Sequence, residues 1–297
     1  AARLGVEPGM KVQSIDGAPF AERVARQRAE MGNSSSDRAT VLLSYYYVLT
    51  GEPDSTLQLG LTGSDGRPVN VTLTRRLVGI AQPVLPKVLP SGYAYIRFAV
   101  FNESVARQFR QALEKVKDAP GLIIDLRGNG GGNFPGVLRI ADYFFPDRVT
   151  FGHVNGRSGK RPSFILRWLG VPSELEVGHA GGQIYEGPVV ILVNDGSGSG
   201  AELFSAGMQE NGRAAIVGRQ TCGCVLGSVS HRVKGGGEVG ISEFDIITAK
   251  GRRLEGSGVT PDVLVPLTID DLRSHRDSAL RQAVAILTSS GTRSAAR

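Results

Sequence analysis

The chain has 297 residues, 41% of them hydrophobic and 21% charged, which is enough for one large domain or two ordinary domains with cores of their own. No apolar run approaches the roughly 20 residues that a membrane-spanning helix needs. The formal net charge is +6, but lysine and arginine are scattered with no run of five or more, so we expect a solvated basic surface and no nucleic-acid partner.

Residues 1–76 have the pattern of short strands and turns around one polar helical insert. A strand-like segment near the start lies between two turn signals, Pro8-Gly9 and Asp16-Gly17. Two alternating segments further on flank Asp65-Gly66, which is typical of a β-hairpin. Residues 77–90 are rich in proline and apolar side chains, and we predict that they form a linker.

Residues 91–297 alternate strand signals with helix signals. Two short, continuous apolar runs, at 121–126 and 188–194, are typical of strands buried on both faces. We predict a helix from about Gly200 to Glu210, and one or two more helices at the end of the chain, capped by Thr268. This strand-helix-strand rhythm predicts an α/β fold.

A glycine-rich loop follows each apolar run, R-G-N-G-G-G-N at 127–133 and N-D-G-S-G-S-G-A-E at 194–202. In an open α/β sheet, ligands bind at the carboxyl ends of the strands. Neither loop has the spacing of a dinucleotide fingerprint or the lysine of a phosphate loop, and Ser199 is not in the G-x-S-x-G context of an α/β-hydrolase. A serine at a helix N-terminus suits a nucleophile, because the exposed N–H groups stabilise negative charge on an attacked carbonyl. The pattern favours acyl-transfer chemistry, with a flexible glycine-serine linker as the alternative.

Four motifs, which occur here in the order of that family, resemble those of the C-terminal-processing (tail-specific) serine peptidases. G-L-I-I-D-L-R-G-N-G-G-G at 121–132 is similar to the family's D-L-R-x-N-x-G-G motif. V-V-I-L-V-N-D-G-S-G-S-G-A-E at 189–202 is similar to its nucleophile segment, usually V-N-x-x-S-A-S-A-S-E. R-R-L-E-G-S-G-V-T-P-D at 252–262 resembles its E-G-x-G-V-x-P-D ending, and residues 1–17 are similar to the middle of its PDZ domain.

The resemblance implies an α/β fold with a crotonase/ClpP-like catalytic core over 91–297, ending in a C-terminal helix. A partial PDZ-like domain with a helical insert would occupy 1–76, joined by the linker at 77–90. The implied function is a serine endopeptidase that cleaves protein or peptide substrates through an acyl-enzyme, without cofactor or metal. The implied partners are polypeptides, with recognition of their C-termini and homo-oligomerisation left open. The implied location is periplasmic or secreted.

The resemblance also carries over site residues. Ser199 falls on the nucleophile position, and the backbone N–H of Gly200 becomes one oxyanion donor. The second donor is expected among the site-lining glycines Gly130, Gly131 and Gly132, with Gly131 as the preferred one.

The two cysteines, Cys222 and Cys224, stand in T-C-G-C, where many family members with a Ser-Lys dyad read T-F-G-K-G. Cys224 therefore replaces the base lysine, and Ser228 matches a glutamine that often follows; both are expected to line the site. The favoured interpretation of the cysteines is two small buried hydrophobes. The alternatives are a disulfide that closes a very small ring, half a metal site with His231 as a weak third ligand, and a thiol nucleophile at Cys224.

The missing lysine implies a branch that resembles the tricorn-protease core, in which a Ser-His-Glu arrangement replaces the dyad. Glu255 stands in the motif that supplies the carboxylate, with a surface charge beside a turn as its alternative. The chain's histidines all lie outside that branch's histidine motif: His153, His179, His231 and His275. We therefore expect the general base upstream of Ala1, and the chain to be a fragment or processed form.

Two rival functions remain. A catalytically impaired peptidase fold that acts as a peptide-binding or scaffold module is favoured by Cys224 and by the absent histidine, while Ser199 and the glycine loops disfavour it. An acyl-CoA enzyme on a crotonase-like fold is disfavoured by the PDZ-like start. Asp125 and Arg127 are expected to shape the first glycine loop rather than to catalyse.

Overall fold

The computed structural model describes residues 2–32, 34–77, 79, 83–156, 159–162, 172–178 and 184–295. They form a mixed α/β fold that divides into two compact units. The first unit is Ala1–Ile80 with Pro266–Ser278, and the second is Ala81–Val265 with Ala279–Arg297. Within the described part of the chain, no helix combines the length and the apolar character that crossing a membrane requires.

The strands, in chain order, are β1 (Lys11–Ile15), β2 (Ala18–Pro19), β3 (Thr56–Thr62), β4 (Pro68–Thr74), β5 (Pro86–Val88), β6 (Ala94–Arg97), β7 (Leu122–Asp125), β8 (Val149–Gly156), β9 (Glu174–Val177), β10 (Val189–Val193), β11 (Ala214–Gly218), β12 (Gly227–Arg232), β13 (Glu238–Thr248) and β14 (Val263–Leu264). The α-helices are α1 (Phe20–Met31), α2 (Asp37–Tyr47), α3 (Glu103–Lys115), α4 (Phe134–Ala141), α5 (Gly200–Glu210), α6 (Ile269–Arg273) and α7 (Ser278–Ala295). Among the described residues, short 3-10 helices also cover Ala2–Leu4 and Asp142–Phe144.

The first unit contains a four-stranded antiparallel sheet in the order β2-β1-β3-β4. The leucines of β3 alternate with residues that are exposed or half-buried, and Leu57, Leu59 and Leu61 are buried with Ile15 and Val48 in one small core. β3 pairs with β4 from Thr56–Thr74 to Thr62–Pro68, which confirms the hairpin predicted from the sequence. The predicted polar insert forms α1 and α2.

The second unit is built on a six-stranded sheet in the order β14-β11-β10-β7-β6-β5. All neighbouring pairs are parallel except β5 with β6. β7 and β10 are buried along their whole length, as their apolar runs predicted. Successive side chains point to opposite faces, so Ile124 and Ile191 belong to the larger core, and Ile123 and Leu192 to a smaller one that includes Leu287 of α7.

The larger core continues into three helices and a second sheet. Helices α3, α4 and α5 contribute Phe109, Val137 and Phe204 to it. A four-stranded antiparallel sheet, in the order β12-β13-β8-β9, adds Phe151 and Ile246. The main sheet is therefore covered on both faces, and its strand ends are the places where loops can form a site.

The boundary between the two units falls at residues 80 and 81, inside the segment that the sequence marks as a linker. Pro266–Ser278 groups with the first unit, although the sequence placed these residues in the catalytic core. Thr268 caps α6, because its Oγ1 accepts the Asp271 N–H at 3.0 Å, as predicted. A helix cap is a local signal, whereas unit membership depends on contacts that are distant in sequence.

Removing a side chain from the central strand should destabilise the fold strongly. Ile191 lies in β10 with no exposed surface, so Ile191→Ala should lower the free energy of unfolding by about 2–5 kcal/mol. The control is Val88→Ala on edge strand β5, where the side chain is 64% exposed and the change should stay within about 0.5 kcal/mol. Urea denaturation measures both, and equal effects of the two substitutions would contradict the assignment of β10 to the core.

Candidate active site

The two glycine-rich loops meet at one edge of the main sheet. β7 pairs in parallel with β10, from Leu122–Val189 to Asp125–Leu192, so the loops leave the sheet side by side. Hydrogen bonds join them directly: Ser197 Oγ donates to the carbonyl of Leu126 at 2.7 Å, and the Gly198 N–H donates to the carbonyl of Asn129 at 3.0 Å. The prediction that both loops lie at the carboxyl ends of buried strands is confirmed.

Ser199 lies immediately before α5 in an unusual backbone conformation. Its φ of 51° is in the left-handed region, which a residue with a side chain rarely adopts. Such strain persists only where the surrounding structure enforces it, and it occurs most often at functional sites. The Ser199 N–H is shared between the carbonyl of Cys224, at 2.9 Å, and Glu202 Oε2, at 3.0 Å. These two bonds fix the turn that presents Ser199 at the positive end of α5.

Glu202, in the first turn of α5, has no exposed surface. Its Oε1 accepts hydrogen bonds from Thr221 Oγ1 at 2.5 Å and from the Gly223 N–H at 2.7 Å. Its Oε2 accepts from the Cys224 N–H at 2.9 Å and from the Ser199 N–H. Burial raises the pKa of the Glu202 carboxyl, and these hydrogen bonds act against that shift. The sequence did not identify Glu202 as important, although Ser-x-x-Glu at 199–202 is the pattern of a helix capping box.

Residues 221–226, which we name the strap, connect the nucleophile loop to Glu255. On one side the Cys222 N–H donates to the carbonyl of Ser197 at 2.9 Å. On the other side Glu255 Oε2 accepts the N–H groups of Val225 at 2.7 Å and Leu226 at 3.1 Å. Ser199 and Glu255 are therefore both hydrogen-bonded to the strap, at residues that are adjacent in sequence.

Glu255 is buried, with 8% of its surface exposed, so the alternative of a surface charge beside a turn is wrong. Only one of its two carboxylate oxygens is used within the described residues. Oε2 holds the two strap N–H groups, while Oε1 is buried without a hydrogen-bond partner in that part of the chain. A buried, unsatisfied carboxylate oxygen is costly, which makes it a candidate acceptor for a group that lies elsewhere.

Cys222 and Cys224 form a disulfide, so the favoured expectation of two small buried thiols is wrong. The Cα atoms of the two residues are 5.3 Å apart, within the usual range for a disulfide. Gly223 between them has a φ of +74°, and this left-handed turn brings the flanking residues to the same side. With both sulfur atoms bonded to each other, neither is available as a metal ligand or a nucleophile.

The first glycine loop packs against Ser199 through Gly131. A Cβ atom on Gly131 would lie 2.5 Å from Ser199 Cβ, and the φ of this glycine is +104°. Its N–H is already used, since it donates to Asn129 Oδ1 at 2.9 Å. The structure therefore does not support Gly131 as the oxyanion donor, because a backbone N–H donates to one acceptor at full strength.

Two other amides are better placed. Within the described residues, the N–H groups of Gly132 and Gly200 have no hydrogen-bond partner. They are neighbours, because a Cβ atom on Gly200 would lie 3.3 Å from the Gly132 nitrogen. Gly130 has open space around it and makes no comparable approach. Two adjacent unused amides beside a nucleophile are the usual composition of an oxyanion hole.

Asp125 and Arg127 shape the first glycine loop, as predicted. Asp125 is fully buried and accepts from the Arg127 backbone N–H at 3.0 Å and from its guanidinium at 2.9 and 2.7 Å. Tyr95 Oη also donates to Asp125, at 2.5 Å. Burial, together with the neighbouring Asp125 carboxylate, raises the pKa of Tyr95 far above its ordinary value.

Ser228 is not brought to the site. It lies on β12 with an exposed side chain, and its hydroxyl forms a hydrogen bond with Ser242 across the β12–β13 pair at 3.3 Å. The strap ends at residue 226, and Ser228 therefore belongs to the β12–β13 hairpin. The predicted site-lining role of Ser228 has no contact to support it among the described residues.

The histidines do not supply a base to Ser199 within the described residues. His153 lies on β8, and His231 is on the β12–β13 hairpin, where its Nε2 is 2.6 Å from Glu243 Oε1. His275 follows α6 in the first unit, and His179 lies outside the described residues. No hydrogen bond in the described structure joins the Ser199 side chain to a histidine or a lysine.

The family model described as "Peptidase family S41" matches residues 92–265, more than half of the chain. The chain belongs to peptidase family S41. This S41 match spans both glycine loops, the strap and Glu255.

Two curated relatives have the same kind of name. One is the carboxyl-terminal-processing protease of Synechocystis sp., 27% identical over 74% of this chain and 50% of the relative. The other is the chloroplastic C-terminal processing peptidase of Tetradesmus obliquus, 29% identical over 74% of this chain and 49% of the relative. This S41 chain therefore spans about half the length of the curated relatives it matches.

Solved structures agree on the fold. The photosystem II D1 C-terminal processing protease has a TM-score of 0.63 at 23% identity, over 96% of this chain and 69% of that one. The tricorn protease has a TM-score of 0.51 at 18% identity, over 95% of this S41 chain and 25% of its own length. At these identities the likeness is one of fold.

The close approach of Gly131 to Ser199 gives a testable difference between neighbouring glycines. Gly131→Ala should lower the free energy of unfolding by more than about 2 kcal/mol, since the new Cβ would meet Ser199 in a left-handed conformation. Gly130→Ala is the matched control, with open space and an ordinary φ, and should be neutral or stabilising by about 0.4–1 kcal/mol. Chemical denaturation of both variants measures the difference, and a Gly131→Ala protein as stable as the control would refute the packing.

Proposed function

We propose that this chain is the peptidase part of a serine endopeptidase of the C-terminal-processing type, which cleaves polypeptides through an acyl-enzyme on Ser199. The observation that carries the proposal is the position of Ser199, strained at the start of α5 and beside the amides of Gly132 and Gly200, which have no hydrogen-bond partner among the described residues. Membership of family S41 and the names of the relatives support the same reaction.

In the proposed reaction Ser199 Oγ attacks the scissile carbonyl, and the amides of Gly200 and Gly132 stabilise the oxyanion that forms. This replaces Gly131 with Gly132 as the second donor, because the Gly131 N–H already donates to Asn129. Donors fixed by a helix start and a rigid loop need no rearrangement as charge develops, which makes such stabilisation efficient. Collapse of the tetrahedral intermediate releases the amine product, and water then hydrolyses the acyl-enzyme.

The proposed general base is a histidine that lies outside the described residues, oriented by Glu255. Glu255 Oε2 is anchored by two strap N–H groups, which leaves Oε1 buried and unpaired among the described residues. That oxygen can accept an imidazole N–H and stabilise the imidazolium that forms when Ser199 loses its proton. A base lysine at position 224 is excluded by the sequence, since the residue is Cys224 and it is disulfide-bonded.

The remaining features belong to the same proposal. We assign the second unit to a crotonase/ClpP-like core, supported by its covered parallel sheet and amide-lined site. The first unit, with a four-stranded sheet and the helices α1 and α2, is proposed as a partial PDZ-like domain that contacts polypeptide substrates. A periplasmic or secreted location is supported by the disulfide, since disulfides persist in oxidising compartments. The proposed chemistry requires no metal or cofactor.

A second candidate function is a peptide-binding or scaffold protein on the same fold. The observation that favours it is the lack of a histidine or lysine hydrogen-bonded to Ser199 in the described part of the chain. Two features argue against a scaffold. The strained backbone of Ser199 and the two amides without a partner among the described residues each cost stability, and binding a peptide does not require either of them.

Covalent labelling separates the two functions. The full-length protein should react with a fluorophosphonate probe at Ser199, and Ser199→Ala should abolish the labelling. The control is Ser205→Ala, farther along α5. Ser205 is fully buried and its hydroxyl has no hydrogen-bond partner in the described part of the chain, so its loss should change neither labelling nor folding. Labelling that persists in Ser199→Ala would refute the nucleophile, and an unlabelled wild type would favour the scaffold.

The role of Glu255 predicts a large kinetic effect from a small chemical change. Glu255→Gln keeps the size of the side chain but cannot hold the base in the same tautomer, so the rate of fluorophosphonate labelling should fall about 10²–10⁴-fold. Glu243→Gln is the matched control, since Glu243 pairs with His231 on the β12–β13 hairpin and should leave the rate unchanged. A rate in Glu255→Gln equal to that of the control would remove Glu255 from the mechanism.

A further inference from the structure

The cysteine pair lies inside the strap, at the point where the strap contacts the nucleophile loop. The Cys222 N–H donates to the Ser197 carbonyl, and the Cys224 carbonyl accepts the Ser199 N–H, each at 2.9 Å. Between these two bonds, the N–H groups of Gly223 and Cys224 donate to Glu202. The disulfide therefore encloses the two peptide units that donate to Glu202, and the groups that bond to Ser197 and Ser199 flank it directly.

Without a cross-link the strap would be more mobile. Gly223 has a φ of +74°, and a glycine loses more conformational freedom on ordering than any other residue. Fixing the backbone of any residue costs conformational entropy. A covalent bond between Cys222 and Cys224 removes much of that freedom in advance, so the hydrogen bonds to Ser197, Ser199 and Glu202 form against a smaller entropy loss.

The two sulfur-bearing residues differ in exposure. Cys222 is buried, with 7% of its surface exposed, whereas Cys224 is half-buried. A small reductant can therefore approach from the side of Cys224. The location is also specific, because these are the only two cysteines in the chain.

We propose that the Cys222–Cys224 disulfide is a redox modification site for small dithiols, and that the oxidised form is the one in which Ser199 is reactive. This inference rests on the proposed function of Ser199. Reduction would loosen the strap, so that the Ser199 turn and the start of α5 lose their fixed geometry. A site that works in an oxidising compartment would then be inactive wherever thiols keep the pair reduced.

The chemistry is ordinary thiol–disulfide exchange. A thiolate of the dithiol attacks Cys224 Sγ, the S–S bond breaks, and Cys222 leaves as a thiolate that takes up a proton. The second thiol of the reagent then attacks the mixed disulfide and releases Cys224, also as a thiol. The protein gains two electrons and two protons, and the dithiol becomes a cyclic disulfide.

The experiment measures labelling of Ser199 and the state of the cysteines in the same samples. The full-length protein is incubated with or without dithiothreitol, and a portion of each is alkylated with iodoacetamide and weighed by mass spectrometry. The remainder is reacted with a fluorophosphonate probe, and the reduced sample is also reoxidised with oxidised glutathione and assayed again. The double variant Cys222→Ser/Cys224→Ser is the control for effects of the reductant elsewhere.

We expect no alkylation before reduction and two alkylated cysteines after it. The labelling rate should fall about tenfold on reduction, as expected for a misplaced nucleophile, and return on reoxidation. The double variant should label slowly with or without dithiothreitol. Recovery on reoxidation uses wild-type protein only, so the result does not depend on the folding of the variant.

The outcomes are separable. Alkylation of both cysteines before reduction, or an unchanged labelling rate after complete reduction, overturns the inference while the proposed function stands. A faster rate after reduction also overturns it, because the sign is opposite. Absence of labelling at Ser199 in both redox states refutes the proposed function instead, and with it the basis of the inference.

Discussion

The structure around the site depends on one buried carboxylate. Glu202 has no exposed surface and accepts four hydrogen bonds, three from backbone N–H groups and one from Thr221. Burying a carboxylate is costly unless its oxygens are satisfied, and here every donor comes from the strap or from Ser199 itself. Because the strap must supply these donors, it is held against α5. The conformation of Ser199 follows from that arrangement.

The second buried carboxylate is in a different situation. Glu255 uses Oε2 to anchor the end of the strap, while Oε1 has no partner among the described residues. Glu202 is thus a satisfied structural acceptor, and Glu255 is half satisfied. The two carboxylates contact the same strap, from its two ends. One segment of backbone therefore relates the proposed nucleophile to the residue proposed to orient its base.

The sequence predicted the parts of this site that depend on neighbouring residues, and it did not predict those that depend on contacts between distant segments. The buried strands β7 and β10 were visible as short apolar runs, and their glycine loops followed directly in sequence. Parallel pairing then required the loops to meet. The identity of the oxyanion donor was not visible, because it depends on whether the Gly131 N–H is already bonded to Asn129. The disulfide was not the favoured interpretation of the two cysteines, because the turn at Gly223 depends on contacts with residues 256–258, which are distant in sequence.

The sequence by itself determined the α/β class, the two loops, the position of Ser199 and the absence of a lysine at position 224, because these are properties of residue type and local spacing. The tertiary structure decided which groups were used and which remained open. Glu202 and the N–H of Gly131 were satisfied, while the amides of Gly132 and Gly200 had no partner among the described residues. The physical reason is that hydrogen-bond satisfaction is a property of pairs, and the partners lie on segments that only folding brings together.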